Sequence, residues 1–214
     1  GATVGHGLNS QPLFITVKDR STTKEWYTLV KKASGSGASS FGVGYLSGTN
    51  PLDGLDTNLF RTNSFDNTPP TSSVFQLGSD GGGWSNTLND TNNYVAYCIS
   101  PVAGYSAVGF YEGNGSSDGV FVHTGFRIAW LMIKETSGSD SWLIWDATRQ
   151  GDNPQGPYLL AEDSQAEVDT HYLDFLSNGF KYRSGHNAMN QSGADYIYLA
   201  FASNPFSANG GLAF

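Results

Sequence analysis

The stretch Ile-Ala-Trp-Leu-Met-Ile-Lys at residues 128–134 matches, in the character of its side chains, the stretch Pro-Leu-Phe-Ile-Thr-Val-Lys at residues 12–18. In both places a tryptophan, Trp26 or Trp142, lies eight residues after the lysine and opens a second apolar run. Two apolar runs separated by a short polar segment are typical of neighbouring β-strands. A strand pair that occurs twice predicts an internally duplicated β-protein.

Further matches between the two halves keep the same order along the chain. They are GTNP at 48–51 with GDNP at 151–154, Asn86 and Asn89 with Asn187 and Asn190, YVAY at 94–97 with YIYLA at 196–200, and Pro101 with Pro205. We therefore predict two repeat units, residues 1–104 and residues 105–214. The sequence leaves open whether the units form two sandwiches or fuse into one jelly roll.

The composition favours strands over helices. Charged residues make up 14% of the chain and aromatic residues another 14%, and there are 27 glycines. Gly, Asn, Ser and Thr are weak helix formers that suit tight turns, and aromatic side chains suit pleated surfaces. We predict an all-β fold, an antiparallel β-sandwich or jelly roll.

Apolar runs bounded by turn residues mark the expected strands, whereas residues 161–175 are weakly periodic and are expected to form a loop with one turn at most. The strand predictions are Leu13 to Lys18, Trp26 to Val30, Ser73 to Leu77, Tyr94 to Ile99, Ala107 to Tyr111, Val120 to His123, Trp130 to Lys134, Trp142 to Trp145, Gly179 to Arg183 and Tyr196 to Ala202. Trp26, Trp130 and Trp142 lie inside these runs and are expected in the core. The single cysteine, Cys98, is expected to be a buried structural thiol.

The charge pattern argues against two classes of partner. The formal net charge is −8, and the 11 basic residues are scattered along the chain. Proteins that bind nucleic acid need a clustered basic face, so no nucleic-acid partner is expected. No apolar run approaches the roughly 20 residues of a membrane helix, so no membrane insertion is expected.

Residues 121–134, 174–181 and 196–206 resemble a signature of virion proteins from tailed phages, especially marine and cyanobacterial phages. Residues 94–99, 104–106 and 111–115 are similar to the same group. The resemblance covers most of the chain. It implies a concanavalin-type, laminin-G-like jelly roll on the virion surface, and hence an extracellular location.

The resemblance implies a tail-fibre tip or a capsid decoration that attaches to a host-surface glycan. The expected partners are other virion proteins, and by analogy the module is a homo-oligomer. The family offers no active site to carry over, and the function expected is non-enzymatic. The alternatives are a polysaccharide-degrading enzyme of concanavalin-like fold and a purely structural virion spacer.

Two loops have the chemistry of a sugar site, in which an aromatic ring stacks on the sugar and nearby polar groups bond the hydroxyls. The first carries Trp84, Asn86, Asn89 and Asp90 within a glycine-rich segment. Its equivalent in the second unit carries Tyr182, His186, Asn187 and Asn190. The same residue types also serve ordinary hairpin turns, so a turn role is the competing interpretation.

Catalytic and metal chemistry have weaker support in the sequence. Glycosidases need two facing carboxylates, and the closest acidic group, Asp163, Glu167 and Asp169, is expected to be solvated surface charge. The four histidines lack the spacing of a transition-metal site. Calcium is the cofactor that remains open, with Asp53, Asp56 and Asp80 as candidate oxygen ligands.

The end of the chain suggests a further strand. The stretch from Ala107 to Tyr111 has no counterpart ahead of the first repeat, and residues 210–214 follow Pro205 at a similar distance. We expect this C-terminal segment to supply the strand that the first unit lacks. Deleting residues 210–214 should then lower the melting temperature by a few degrees, measured by calorimetry. An unchanged melting temperature would contradict the assignment.

Overall fold

The computed structural model describes residues 2–33, 40–54, 62–78, 88–89 and 91–205. The chain divides into two compact units, unit 1 (Gly1–Ser100) and unit 2 (Pro101–Phe214). Each is built from antiparallel strands, which confirms the predicted all-β, sandwich or jelly-roll class. The division falls four residues before the end of the first predicted repeat.

Unit 1 pairs its strands in two sheets. Its strands are β1 (Ala2–Gly5), β2 (Phe14–Asp19), β3 (Trp26–Lys31), β4 (Phe41–Tyr45), β5 (Asp53–Gly54), β6 (Val74–Leu77) and β7 (Tyr94–Ile99). Five form a sheet in the order β5-β4-β3-β2-β7, and β1 pairs with β6. Ile15 and Leu29 of the larger sheet share one core cluster with Phe75 of the smaller sheet, so apolar side chains from both sheets pack together.

Unit 2 forms one sheet of eight strands, in the order β8-β15-β10-β11-β12-β13-β14-β9. The strands are β8 (Ser106–Glu112), β9 (Phe121–His123), β10 (Ile128–Glu135), β11 (Leu143–Asp146), β12 (Gln155–Leu160), β13 (Val168–Leu176), β14 (Gly179–Tyr182) and β15 (Asp195–Ala202). Tyr111 on the first of these strands contacts Phe180 and Tyr182 on β14, so the sheet curls around one core.

Unit 2 also holds two helices of one turn each, α1 (Ala147–Gln150) and α2 (Asn187–Asn190). Within the described ranges, no helix has the length and apolar character needed to cross a membrane.

The sequence repeat corresponds to a repeat in topology. The equivalent antiparallel pairs are β1–β6 and β9–β14, β2–β3 and β10–β11, β3–β4 and β11–β12, β4–β5 and β12–β13, and β2–β7 and β10–β15. Strand β8 pairs with β15 and has no counterpart among the described residues of unit 1. The strand predicted at residues 210–214 lies outside the described residues, so that expectation stays a prediction.

The lysine that ends each repeated apolar run has the same structural role in both units. Lys134 is fully buried, and its ammonium donates to the carbonyl oxygens of Glu135 at 2.6 Å and Gly138 at 2.9 Å. Lys18 donates in the same way to Asp19 O at 2.5 Å and Thr22 O at 2.8 Å. The side chain of Lys18 is half-buried, whereas that of Lys134 is fully buried. Because a charge removed from water is costly unless it is hydrogen-bonded, each lysine stabilises the turn that follows its strand.

Two sequence expectations are wrong. Residues 168–176 form strand β13, whereas a loop was predicted for 161–175. Polar residues dominate the first half of β13 and hide its alternation, but Leu173 and Phe175 are buried and the strand is paired on both sides. Of the tryptophans expected in the core, Trp142 is buried, whereas Trp26 and Trp130 are half-buried against Tyr97 and Phe201 respectively.

The buried ammonium of Lys134 gives a direct stability test. Lys134→Met keeps the length and apolar character of the side chain but leaves two carbonyl oxygens without their charged donor. We expect a loss of about 2–4 kcal/mol in the free energy of unfolding, measured by chemical denaturation. Arg20→Met removes an exposed cation and should stay within about 0.5 kcal/mol of the wild type. Equal effects of the two substitutions would contradict the role of Lys134.

Candidate functional site

Most of the first predicted binding loop lies outside the described residues. Trp84, Asn86 and Asp90 fall there, and so do the calcium candidates Asp56 and Asp80. Asn89 is described and is exposed. Asp53 belongs to β5, but its side chain is outside what the structure describes. Where side chains are described, no group of three or more His, Cys, Asp or Glu residues is arranged to hold a metal ion.

The prediction that Tyr182 binds a ligand is wrong. Its side chain is fully buried, and its hydroxyl lies 2.6 Å from that of Tyr111, which in turn donates to Met189 O at 2.8 Å. Burial raises the pKa of Tyr182 well above its ordinary value. Tyr182 is therefore a core residue, because its position in β14 points towards the inside of the sheet.

Asn190 was also assigned wrongly to ligand binding. Its amide nitrogen donates to Asn114 Oδ1, Ser116 O and Ser184 O at 2.9–3.1 Å, and its amide oxygen accepts from Asn114 N at 3.0 Å. These bonds link two loops, and they occupy the polar atoms of Asn190 that could otherwise bind a sugar. Asn190 is fully buried.

His186 and Asn187 are the two members of the second predicted loop that are exposed. His186 Nδ1 accepts a hydrogen bond from Ala188 N at 3.2 Å and so caps the start of α2. The backbone oxygen of Asn187 accepts from the Tyr196 hydroxyl. The loop is thus a capped turn, as the competing interpretation expected, with two polar side chains at its surface.

A different surface of unit 2 combines exposed aromatic and charged side chains. Val122, Leu173 and Phe180 belong to the core, and successive residues of a strand face opposite sides of a sheet. Their neighbours therefore point outwards on three adjacent strands. We define the β13–β14–β9 face by five of these outward residues: Phe121, Tyr172, Asp174, Lys181 and Arg183.

The two aromatic rings of this face are exposed and held in place. Tyr172 is 38% exposed and Phe121 is 44% exposed. A Cβ atom added at Gly156 would lie 2.5 Å from Cε1 of Tyr172, so the ring of Tyr172 lies directly against the backbone of β12. The ring of Phe121 contacts that of His123, with 6.5 Å between the ring centroids. Each ring therefore offers a supported apolar surface to solvent.

The charged groups of the face form two ion pairs. Arg183 donates from Nε to Asp174 Oδ2 at 2.7 Å, and its NH2 nitrogen lies 2.5 Å from the same oxygen. Lys181 Nζ lies 2.9 Å from Asp118 Oδ1 and donates to Gly119 O at 2.8 Å. The hydrogen bond from Lys181 lowers the pKa of Asp118, and that from Arg183 to Asp174 raises the pKa of Arg183.

Unit 1 provides an internal comparison for this face. Phe121 is paired with Lys181 in register, and the equivalent pair in unit 1 is Thr3 with Gln76. The same strand pairing thus forms with small or neutral side chains. Because the topology does not require an aromatic ring and a cation at these positions, the side chains of unit 2 point to a function beyond folding.

The two lysines are followed by acids whose partners differ between the units. In unit 1, Asp19 lies 4.0 Å from Lys24 Nζ. In unit 2 the equivalent residues are Glu135 and Asp140, two acids in hydrogen-bond contact. Burial, together with the hydrogen bond and charge of Asp140, raises the pKa of Glu135. A contact between two acids in unit 2 thus replaces the ion pair of unit 1.

The thiol of Cys98 is half-buried, although full burial was expected. Burial raises its pKa to about 11, so the thiol stays protonated at neutral pH. Cys98 packs against the core of unit 1, in agreement with a structural role.

Fold and surface together define an all-β protein made of two copies of one antiparallel unit, with a polar and aromatic face on the second copy. The chain belongs to the family described as Domain of unknown function (DUF7483), which matches residues 1–205. No curated protein and no solved structure matches the chain.

The acid pair of unit 2 gives a test with a defined dependence on pH. Because the pKa of Glu135 is raised on folding, its contribution to stability is full below its ordinary value of 4.5 and is lost as the pH rises through the raised pKa. Glu135→Gln keeps a hydrogen-bond donor at every pH. Its melting temperature should match the wild type near pH 4 and exceed it by a few degrees near pH 7.

Two further variants test the cause of this effect. Asp140→Lys introduces a lysine at the position equivalent to Lys24 of unit 1. This substitution should also raise the melting temperature at neutral pH. Glu112→Gln changes an exposed acid and should have no pH-dependent effect. A Glu135→Gln protein that is less stable than the wild type at neutral pH would contradict an unfavourable contact between the two acids at that pH.

Proposed function

We propose that the chain is a non-enzymatic module on the surface of a tailed-phage virion, a fibre tip or a capsid decoration, that attaches to a host-surface glycan. The proposal rests first on the resemblance of residues 121–134 and 174–181 to phage virion proteins. Phe121, Asp174 and Lys181 lie inside those two stretches. The segments that suggest a virion protein therefore supply three of the five residues of the β13–β14–β9 face, and Tyr172 and Arg183 lie within two residues of them.

The observation that carries the glycan proposal is the combination of two supported rings with two ion pairs on one sheet face. Aromatic rings stack on the apolar faces of sugar rings, and sugar hydroxyls both donate and accept hydrogen bonds. Asp174 is 7% exposed and orients Arg183, whose exposed guanidinium can donate to a sugar hydroxyl. Because these residues belong to paired strands, little conformational freedom is lost when a ligand binds.

The proposal of other virion proteins as partners rests on a separate surface. Val102, Tyr105 and Phe110 are 46%, 40% and 47% exposed. Val102 and Tyr105 are joined by a backbone hydrogen bond, and neighbouring exposed apolar side chains are typical of protein contact surfaces. Neighbouring virion proteins, including further copies of this chain, are the proposed occupants.

A polysaccharide-degrading enzyme is the alternative that the acid pair could suggest. Glu135 and Asp140 are in hydrogen-bond contact, whereas the two carboxyl groups of a glycosidase lie about 5 Å or more apart to admit the sugar. Glu135 is also buried, with 5% of its surface exposed. The pair therefore favours a structural role and does not favour hydrolysis.

A glycan array tests the proposal with paired variants. Phe121→Thr combined with Lys181→Gln gives the face of unit 2 the residues of unit 1, so the fold should be retained while binding falls by about tenfold or more. Tyr172→Ala should have a similar effect. The matched control combines Thr3→Ala with Gln76→Ala and should bind like the wild type. The array is run with and without calcium, because the candidate ligands Asp56 and Asp80 lie outside the described residues.

Two results would contradict the proposal in different ways. A blank array with folded wild-type protein would favour the structural spacer, whose exposed aromatic residues contact other virion proteins. Binding that survives both the double substitution and Tyr172→Ala would place the glycan site elsewhere on the chain.

A further inference from the structure

We infer that the β13–β14–β9 face selects an uncharged oligosaccharide over an acidic one. The inference rests on the proposed glycan function and adds the class of glycan. It follows from the charge balance of the face, from the distance between its two rings and from the hydrogen-bonding groups between them.

The cations of the face are already neutralised by carboxylates. Lys181 is paired with Asp118, and Arg183 is paired with Asp174. Asp169, whose Oδ1 lies beside Gly156 and Tyr172, adds a further negative charge. An acidic sugar would have to displace a carboxylate from its cation, and would also approach a chain with a formal net charge of −8. An uncharged sugar meets neither penalty.

The separation of the rings requires more than one sugar unit. Phe121 lies opposite Lys181, which lies opposite Asp174, and Tyr172 is two residues before Asp174 on the same strand. Two strand spacings and two residue rises place the Cα atoms of Phe121 and Tyr172 about 12 Å apart. One sugar ring cannot contact both aromatic rings across that distance, so the ligand is an oligosaccharide.

The groups between the rings suit hydroxyls. Asp174 is 7% exposed, and both contacts of Arg183 go to its Oδ2, so this carboxylate holds the guanidinium in place. The Arg183 side chain is 46% exposed, and those of its five N–H groups that are not directed at Asp174 remain as donors at the surface. Donors of fixed orientation complement the hydroxyl oxygens of a sugar.

Titration calorimetry with defined sugars tests the inference. The neutral probes are maltotriose and cellotriose with their monosaccharide glucose, the acidic probes are sialyllactose and a heparin tetrasaccharide, and the cationic probe is chitosan trisaccharide. We expect a neutral trisaccharide to bind at least about tenfold more tightly than glucose or either acidic probe. Its affinity should change by less than about twofold between low and high salt, because no net charge is neutralised.

A charge variant checks the reason for the selectivity. Asp118 is exposed at the surface, so Asp118→Asn should fold normally and leave Lys181 without its carboxylate. This variant should gain affinity for sialyllactose by several-fold, so that the preference for the neutral trisaccharide narrows. Asp163→Asn, which removes an exposed acid elsewhere in unit 2, is the matched control and should change neither affinity.

The outcomes separate the two levels of the proposal. Wild-type binding to an acidic or cationic probe alone, or a steep loss of affinity with salt, would overturn the inference while the glycan function stands. Glucose binding as tight as trisaccharide binding would overturn the two-ring arrangement. If none of the probes binds and the glycan array is also blank, the proposed function itself fails.

Discussion

A lysine ammonium group bound to two backbone carbonyls closes the same turn in each repeat. Lys18 and Lys134 are the penultimate residues of β2 and β10, and each bonds the carbonyl oxygens of the residues one and four positions later. A register shift of one residue would turn the ammonium into the apolar core, where it has no partner. The lysine therefore fixes the hairpin turn and, through it, the pairing of the next strand. The equal spacing of eight residues, from Lys18 to Trp26 and from Lys134 to Trp142, follows from the same constraint.

Comparing the two units distinguishes the residues that the fold requires from the residues that can vary. Some positions have the same role in both units and maintain the topology. They include the lysines Lys18 and Lys134 and the inward-facing Phe75 and Phe180. Positions that differ on equivalent strands are free to serve a ligand. Phe121 and Lys181 belong to this second group, because Thr3 and Gln76 occupy the same places in the same strand pair. The acid pair of unit 2 differs as well, but its burial and close contact give it a local electrostatic role.

The sequence predicted the long apolar strands but not the polar or glycine-rich ones. Strand β4 was missed because glycines alternate along it, yet Gly42 and Gly44 are needed there: added Cβ atoms would lie 2.9 and 2.5 Å from Leu52. At the candidate site, the turn-like composition of residues 182–190 led to the prediction that Tyr182 binds a ligand. Tyr182 instead belongs to the core, because it lies at an inward-facing position of its strand. Aligning the two repeats over their shorter strands would have identified Phe121 as the aromatic residue that the fold does not need.

The most direct test of the account is to locate the bound sugar. At 22.9 kDa the protein is suited to chemical-shift mapping by NMR with a neutral trisaccharide. The account predicts shifts confined to unit 2, centred on Phe121, Tyr172 and Arg183, with Thr3 and Gln76 unaffected. Shifts centred on any other part of the chain would contradict the assignment of the β13–β14–β9 face as the recognition surface.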